Sequence, residues 1–171
     1  MILRPIREAD IPRIEAGSST PEGTGELQWF GYRTFHMMRE RVTKDGYLGP
    51  EAGGLVVEYD SEVAGWVTWS KHFWGPEVTS WGWTIGIILF PAFRGRGIGT
   101  AAQKELTDYL FAHTQAERIQ AFTDVSNVAE QRALEKAGYQ REGVLRRAQW
   151  RNGEWHDQIL YAALRDRRGH I

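Results

Sequence analysis

Cysteine is absent from all 171 residues. That excludes disulfides, thiolate zinc sites and a cysteine nucleophile, and it accords with a reducing compartment. Net charge is nearly absent as well: 21 Lys and Arg stand against 22 Asp and Glu, leaving −1. No global basic field therefore points to nucleic acid or to an anionic membrane. No apolar run approaches the ~18 residues of a membrane span. The opening segment MILRPIREAD is broken by Arg4 and lacks the apolar core of a signal peptide. Internal repeats, linkers and His/Asp/Glu sets with metal-ligand spacing are missing too. The expectation is a cytoplasmic chain forming a single domain over 1–171, long enough to bury about two thirds of its unfolded surface.

What is present is ordinary in bulk, with 42% hydrophobic and 25% charged residues, but it includes eight tryptophans. Strand signals occur at MILRPI, GLVVEY, EVAGWVTWS, SWGWTIGIILF, RIQAFTD, YQREGVL and WHDQILYAAL. A first helix is expected at EADIPRIEA, capped by Asp10 with Pro12 in its first turn. A second is expected around Tyr32–Thr43. A third follows the glycines, where Ile98, Ala102, Leu106 and Leu110 recur every four residues. A fourth is SNVAEQRALEKAG, with Asn127 as N-cap, Glu130 as its capping-box partner and Gly138 as its stop. KHFWGPEVT reads as a loop, RNG as a tight hairpin turn and RDRRGH as a solvated tail. The order β-α-α-β-β-β-α-β-α-β-β predicts an α+β (mixed α/β) fold around a mixed sheet.

One stretch carries chemistry. FPAFRGRGIGTAAQKEL places three glycines and two arginines between an apolar strand and an amphipathic helix. Bare amides at a helix N-terminus, with cations beside them, suit a phosphate. A nucleoside-triphosphate loop needs Lys-Ser/Thr after its last glycine, and Thr100-Ala101 follow Gly99 instead. A dinucleotide fingerprint needs G-x-G-x-x-G hard against the strand; here Gly95, Gly97 and Gly99 are spaced G-x-G-x-G behind Pro91-Ala92-Phe93. Asp124 does end the next strand, so that reading stays open, although only one parallel crossover is evident where two are expected. The third reading is Arg-x-x-Gly-x-Gly over Arg94, Gly97 and Gly99, with loop amides converging on a pyrophosphate. A plain glycine turn with exposed arginines is the bland alternative.

Three segments taken together resemble a family: IGIILFPAFRGRGIGTAAQKEL, then FTDVSNVAEQRALEKAGYQREGVLR, then WHDQILYAAL. They are similar to the GNAT superfamily of N-acetyltransferases, in its RimJ/RimL-type branch, which acetylates protein N-termini and assorted small amines. The resemblance covers Gly54 to Leu164 and reaches back more loosely to LRPIREAD. It implies a central twisted sheet in which the strand Trp83–Phe90 splays from Arg118–Asp124. It implies acetyl-CoA as co-substrate, its pantetheine paired with the backbone of Ile87, Ile88 and Leu89. Amides of Arg94, Gly95, Arg96, Gly97, Ile98, Gly99 and Thr100 would hold the pyrophosphate, and Arg94 and Arg96 would add charge to it. Asn127 matches an asparagine that contacts the cofactor, and Tyr139 would pack beneath it.

The implied reaction is direct attack of an amine on the thioester, giving an acetylated primary amine. It calls for a base and for an oxyanion donor, the latter a backbone N–H near Leu89. The chain departs from its relatives at two places: Glu130 stands where many carry a serine that protonates the thiolate, and Thr84 where a carboxylate base is common. Glu26 and His72 are the leading candidates for the base, ahead of His156, His36 and His113. Trp29, Phe30, Trp74 and Trp81 are expected to wall an acceptor cleft suited to apolar or cationic amines. Expected partners are acetyl-CoA and an amine acceptor, without nucleic acid or membrane; a homodimer through 150–164 is left open. The rival readings are a non-catalytic acyl-CoA-binding protein of the same fold and a dinucleotide-binding protein.

Overall fold

The computed structural model describes residues 1–166. Its strands are β1 (Ile2–Pro5), β2 (Ala52–Tyr59), β3 (Glu62–Phe73), β4 (Trp81–Leu89), β5 (Arg118–Asp124), β6 (Gln140–Arg151) and β7 (Glu154–Leu164). The helices are α1 (Ile11–Ser18), α2 (Pro21–Thr24), α3 (His36–Asp45), α4 (Ile98–His113) and α5 (Val128–Lys136). The strands form one sheet in the order β1-β2-β3-β4-β5-β7-β6. β4 and β5, joined through α4, run parallel, and the other neighbours are antiparallel. The mixed α+β sheet expected from the sequence is the one observed.

Local chemistry explains most of the elements. Asp60 and Ser61, at φ 52° and 64°, turn β2 into β3 with the left-handed pair that suits a two-residue hairpin. Asn152 and Gly153, at φ 52° and 82°, do the same between β6 and β7. The four-residue repeat of α4 buries Ile98, Ala102, Leu106 and Leu110 in a cluster with Val67, Ile85 and Ile119. Each leucine buried there contributes roughly 1.5–3 kcal/mol. Leu55 and Val57 of β2 belong to this cluster, while Val56 packs with Ile14, Phe35 and Met38 of the N-terminal helices. Because neighbouring strand residues point to opposite faces, the two cores lie on the two sides of the sheet.

The feature that positions the site is a divergence. β3 and β4 pair along nine residues, but β4 and β5 pair only at Trp83–Ile119 and Thr84–Gln120. Gln120 Nε2 donates to Thr84 Oγ1 at 3.1 Å where the two strands part. Beyond that point the β5-facing edge of Ile85–Leu89 has no strand partner among the described residues.

Four expectations need correction. Asp10 does not cap α1 with its side chain; its carboxylate accepts from Arg7 N at 2.8 Å and from both terminal nitrogens of Arg4 at 2.7 and 2.9 Å. The stretch Lys71–Phe73, expected as loop, continues β3 because it pairs with Trp81–Trp83. The second helix starts later, at His36, and α2 precedes it, capped by Thr20 accepting from Gly23 N at 3.1 Å. Arg165, expected in a solvated tail, donates to the carbonyls of Phe111, Thr114 and Ala116. The rest of that tail, from residue 167, lies outside the described residues.

Candidate active site

The chain between β4 and α4 makes one 3-10 turn over Pro91–Phe93 and then enters the left-handed region at Gly95 (φ 71°) and Gly97 (φ 77°). A side chain at either glycine would be strained in that backbone. Gly97 begins α4 without any side-chain cap. The first amides of a helix have no intrahelical acceptor, so those of 98–100 remain available. They border a cavity of about 500 Å³ whose walls are Ile87–Leu89, the glycine loop, the segment Thr24–Gln28 and one face of α5.

A second cavity of about 190 Å³ lies across the diverging strands, between Ile85–Ile88 and Ala121–Asp124. Its rim includes Phe30, Arg33, Gln149 and Gln158. The two cavities share Leu27, Gln28, Ile87, Ile88, Asn127 and Glu130, so they meet where β4 leaves β5. These six residues border both cavities, which adjoin one another at that point.

Asn127 caps α5, its Oδ1 accepting from Glu130 N at 3.2 Å. The capping box does not close, because Asn127 N already donates to Asp124 O at 2.9 Å. Glu130 is a residue that borders both cavities. Burial pushes its carboxyl up to about 7. The Gln103 amide opposes that rise as a weak donor, Nε2 falling short of full hydrogen-bond geometry with any described residue. Behind the second cavity, Asp124 and Arg151 form a buried ion pair at 2.6 Å. Burial alone would raise the Asp124 carboxyl; Ser126 and Arg151 outweigh it and hold the group below its ordinary range.

Residues 1–140 match the family model described as Acetyltransferase (GNAT) domain. The chain belongs to the GNAT acetyltransferase family. It is 33% identical over 111 residues to the probable N-acetyltransferase YjcK of Bacillus subtilis (strain 168), an overlap of 65% of this chain and 60% of that protein. The overlap thus spans less than two thirds of that relative's length. It is 26% identical to the uncharacterized N-acetyltransferase YnaD of the same organism, over 73% of this chain and 71% of that protein. Among solved structures it resembles the ribosomal-protein-alanine N-acetyltransferase from Brucella melitensis, with TM-score 0.79 and 19% identity over 96% of this chain and 100% of that one. It also resembles the spermidine N-acetyltransferase from Vibrio cholerae in complex with CoA and spermine, with TM-score 0.79 and 20% identity over 95% of this chain and 94% of that one. These two likenesses show a shared GNAT fold.

Within this GNAT domain the sequence candidates separate. Ile87, Ile88, Leu89, Arg94, Gly95, Gly97, Gly99, Thr100 and Asn127 all line the first cavity. Ile98 turns its side chain into the core, and Arg96 lies over the Tyr59 ring at 4.6 Å, so neither side chain lines that cavity. The Arg94 guanidinium is committed to protein: it donates to Leu89 O at 2.8 Å, Glu22 O at 3.0 Å and Gly23 O at 2.6 Å. Burial lowers its pKa, against the opposing field of Glu22. It ties the loop to α2 at the border of the first cavity.

Glu26 lies in a 3-10 turn over Glu26–Gln28 and lines the first cavity. His72 sits in β3, 4.6 Å from the Trp74 ring, and lines neither cavity. His156 is 3.7 Å from Asp124, its Nε2 3.1 Å from Arg151 O. Tyr139 is buried behind the site, sharing a 2.6 Å hydrogen bond with Thr107. Of the aromatic residues expected to wall an acceptor, Phe30 lines the second cavity; Trp29 packs on Tyr32, Trp81 on Trp83, and Trp74 donates to Gln120. Sequence reasoning missed Arg132 and Lys136, which line the first cavity four residues apart on α5. Their spacing beyond the Asn127 cap was the available signal.

Proposed function

We propose that this chain is an acetyl-CoA-dependent N-acetyltransferase acting on a primary amine. The observation that carries the reading is the meeting of the two cavities at the divergence of β4 from β5, where six residues border both. A thioester extended along Ile87–Leu89 would reach it from one side and an amine from the other. The pyrophosphate would rest on the amides of 95–100, where positive helix-end charge favours it; the Arg94 amide, expected to join them, donates to Pro91 O at 3.2 Å instead. An N–H of the unpaired β4 edge, at Leu89, would donate to the oxyanion. Attack forms the C–N bond at the acetyl carbon, the C–S bond breaks, and sulfur leaves with the electron pair.

The acceptor cavity favours a peptide α-amine over a polyamine. Arg33 lines it without an ion-pair partner among the described residues, and its pKa is lowered by burial, with Tyr47 opposing. Of the two carboxyl residues that border this cavity and that a polycation would need, Asp124 is already neutralised by Arg151, and burial favours the uncharged form of Glu130. An α-amine, with a pKa of about 8, also loses its proton more readily than an alkylamine near 10.

Thermal unfolding with acetyl-CoA, NAD and ATP tests the first half of this reading. Thiol release with Ala- and Ser-terminated peptides and with spermidine tests the second. Stabilisation by acetyl-CoA alone, with a higher kcat/KM for peptides, is expected. Stabilisation by NAD alone would restore the dinucleotide reading. Stabilisation by acetyl-CoA without thiol release would favour the non-catalytic binder, and a preference for spermidine would overturn the acceptor class.

A further inference from the structure

Six residues border both cavities, and Glu130 is the one among them whose side chain can carry a proton. The other carboxylates stand to one side: Glu26 lines only the first cavity and Asp124 only the second. We propose that Glu130 is a proton shuttle, taking a proton from the attacking nitrogen on the acceptor side and delivering it to the departing sulfur on the cofactor side. The inference rests on the acetyl-transfer reading above.

The balance closes without any further reagent. A protonated acceptor first loses one proton to solvent, giving the neutral amine. Its lone pair then forms the C–N bond, leaving a positive nitrogen that still holds a proton it must lose. The Glu130 carboxylate takes that proton; the C–S bond breaks, and the thiolate receives the proton from the Glu130 carboxylic acid. Amide, thiol and the original carboxylate remain. A single group can do both halves only if it reaches both spaces, and Glu130 is a residue that borders both.

A group that must both accept and release a proton works best with a pKa near the operating pH. Burial places Glu130 near that value, at about 7. The titratable groups around it are mixed in sign: Glu26, Arg94, Arg132 and Lys136 border the first cavity, Arg33 and Asp124 the second, and Tyr139 lies behind. Asp124 is held by Arg151 and Arg94 by carbonyls, so Glu130 itself is the group expected to titrate near pH 7.

The test compares wild type with Glu130→Gln, which keeps shape but cannot ionise, and with Glu130→Asp. Three readouts are used: acetyl-CoA thermal shift, kcat against pH with a peptide acceptor, and carboxyl titration by NMR with 13C-labelled glutamate. Glu130→Gln should keep the thermal shift, lose about 10²-fold or more in kcat, and lose the pH limb near neutrality. Glu130→Asp should recover part of the rate. One carboxyl should titrate near pH 7 in wild type and vanish in Glu130→Gln. Rates for Glu130→Gln within a few-fold of wild type, with an unchanged pH profile, would overturn the shuttle, as would the lack of such a titration. Wild type that binds acetyl-CoA yet releases no thiol would instead overturn the acetyl-transfer reading, and the shuttle with it.

Discussion

Arg151 Nη2 meets Asp124 Oδ2 at 2.6 Å, with both side chains almost wholly withdrawn from solvent. The same guanidinium donates to Leu27 O at 3.1 Å and Gln149 Oε1 at 2.6 Å. One cation therefore ties the end of β5 to the β6–β7 hairpin and to the 3-10 turn that walls both cavities. Breaking a buried pair from one side leaves an uncompensated charge, at a cost of about 3–5 kcal/mol. Arg151→Met should lower stability by that order in denaturant melts and raise KM for both substrates. A variant as stable as wild type would show that the pair is expendable.

Acid should weaken the same junction. Asp124 is held below its ordinary 3.8, so the native state binds fewer protons there than the unfolded chain. Its contribution is present in full above that ordinary value and is lost as pH falls through the lower folded one. Asp124→Asn should flatten the decline of stability below about pH 4. Melts from pH 6 to pH 2 check this, and an unchanged acid limb would contradict it.

The glycine loop separates conformation from charge. Gly97 sits at φ 77°, and a Cβ added there would have nothing within 4 Å, so alanine meets backbone strain but no clash. Gly97→Ala should cost about 1 kcal/mol of stability while keeping acetyl-CoA binding. Gly97→Glu should abolish the stabilisation of ~2.7 kcal/mol expected at a hundredfold excess over Kd. Equal ligand shifts in the two variants would remove the loop from the binding site.

How far the site could be read from the sequence depended on what kind of contact defined it. The four-residue repeat of α4, the Asn127 cap and the glycine spacing are local, and each is found in the structure as expected. Arg94 reads as a phosphate ligand because its neighbours are glycines; the structure adds carbonyl partners at Leu89, Glu22 and Gly23, the last two more than seventy residues earlier. Glu130 fitted a capping box by spacing alone, and that reading failed because Asp124 O had already taken the Asn127 amide. His72 reads as a loop residue until pairing with Gly82 extends β3 across it. Local patterns carried through, whereas partners set by tertiary approach did not.

Arg132 and Lys136 line the first cavity and make no ion pair among the described residues. Arg94 and Arg96, the loop's own cations, are engaged elsewhere. The negative charge of the cofactor's adenosine end, including its 3′-phosphate, is thus expected to fall to these two side chains. Arg132→Ala and Lys136→Ala should each weaken acetyl-CoA binding by about tenfold, or ~1.4 kcal/mol. Their effect on 3′-dephospho-acetyl-CoA should be smaller, as read by calorimetry. Equal losses for both ligands would place the two cations elsewhere on the cofactor.

Glu130 should leave a mark on stability that needs no acceptor. Its folded pKa of about 7 lies above its ordinary 4.5, so between those values the native state binds more protons than the unfolded chain. Stability contributed by the protonated group is complete below 4.5 and declines as pH rises through about 7. At pH 8 the buried carboxylate therefore acts against folding, by at most about 3 kcal/mol and less where the cavity mouths admit water. Glu130→Gln should melt higher than wild type at pH 8 and alike at pH 4, while transferring acetyl more slowly. A gain of stability on losing the carboxylate, confined to the alkaline side, is what a group retained for chemistry would show; a loss at both pH values would make Glu130 a structural residue.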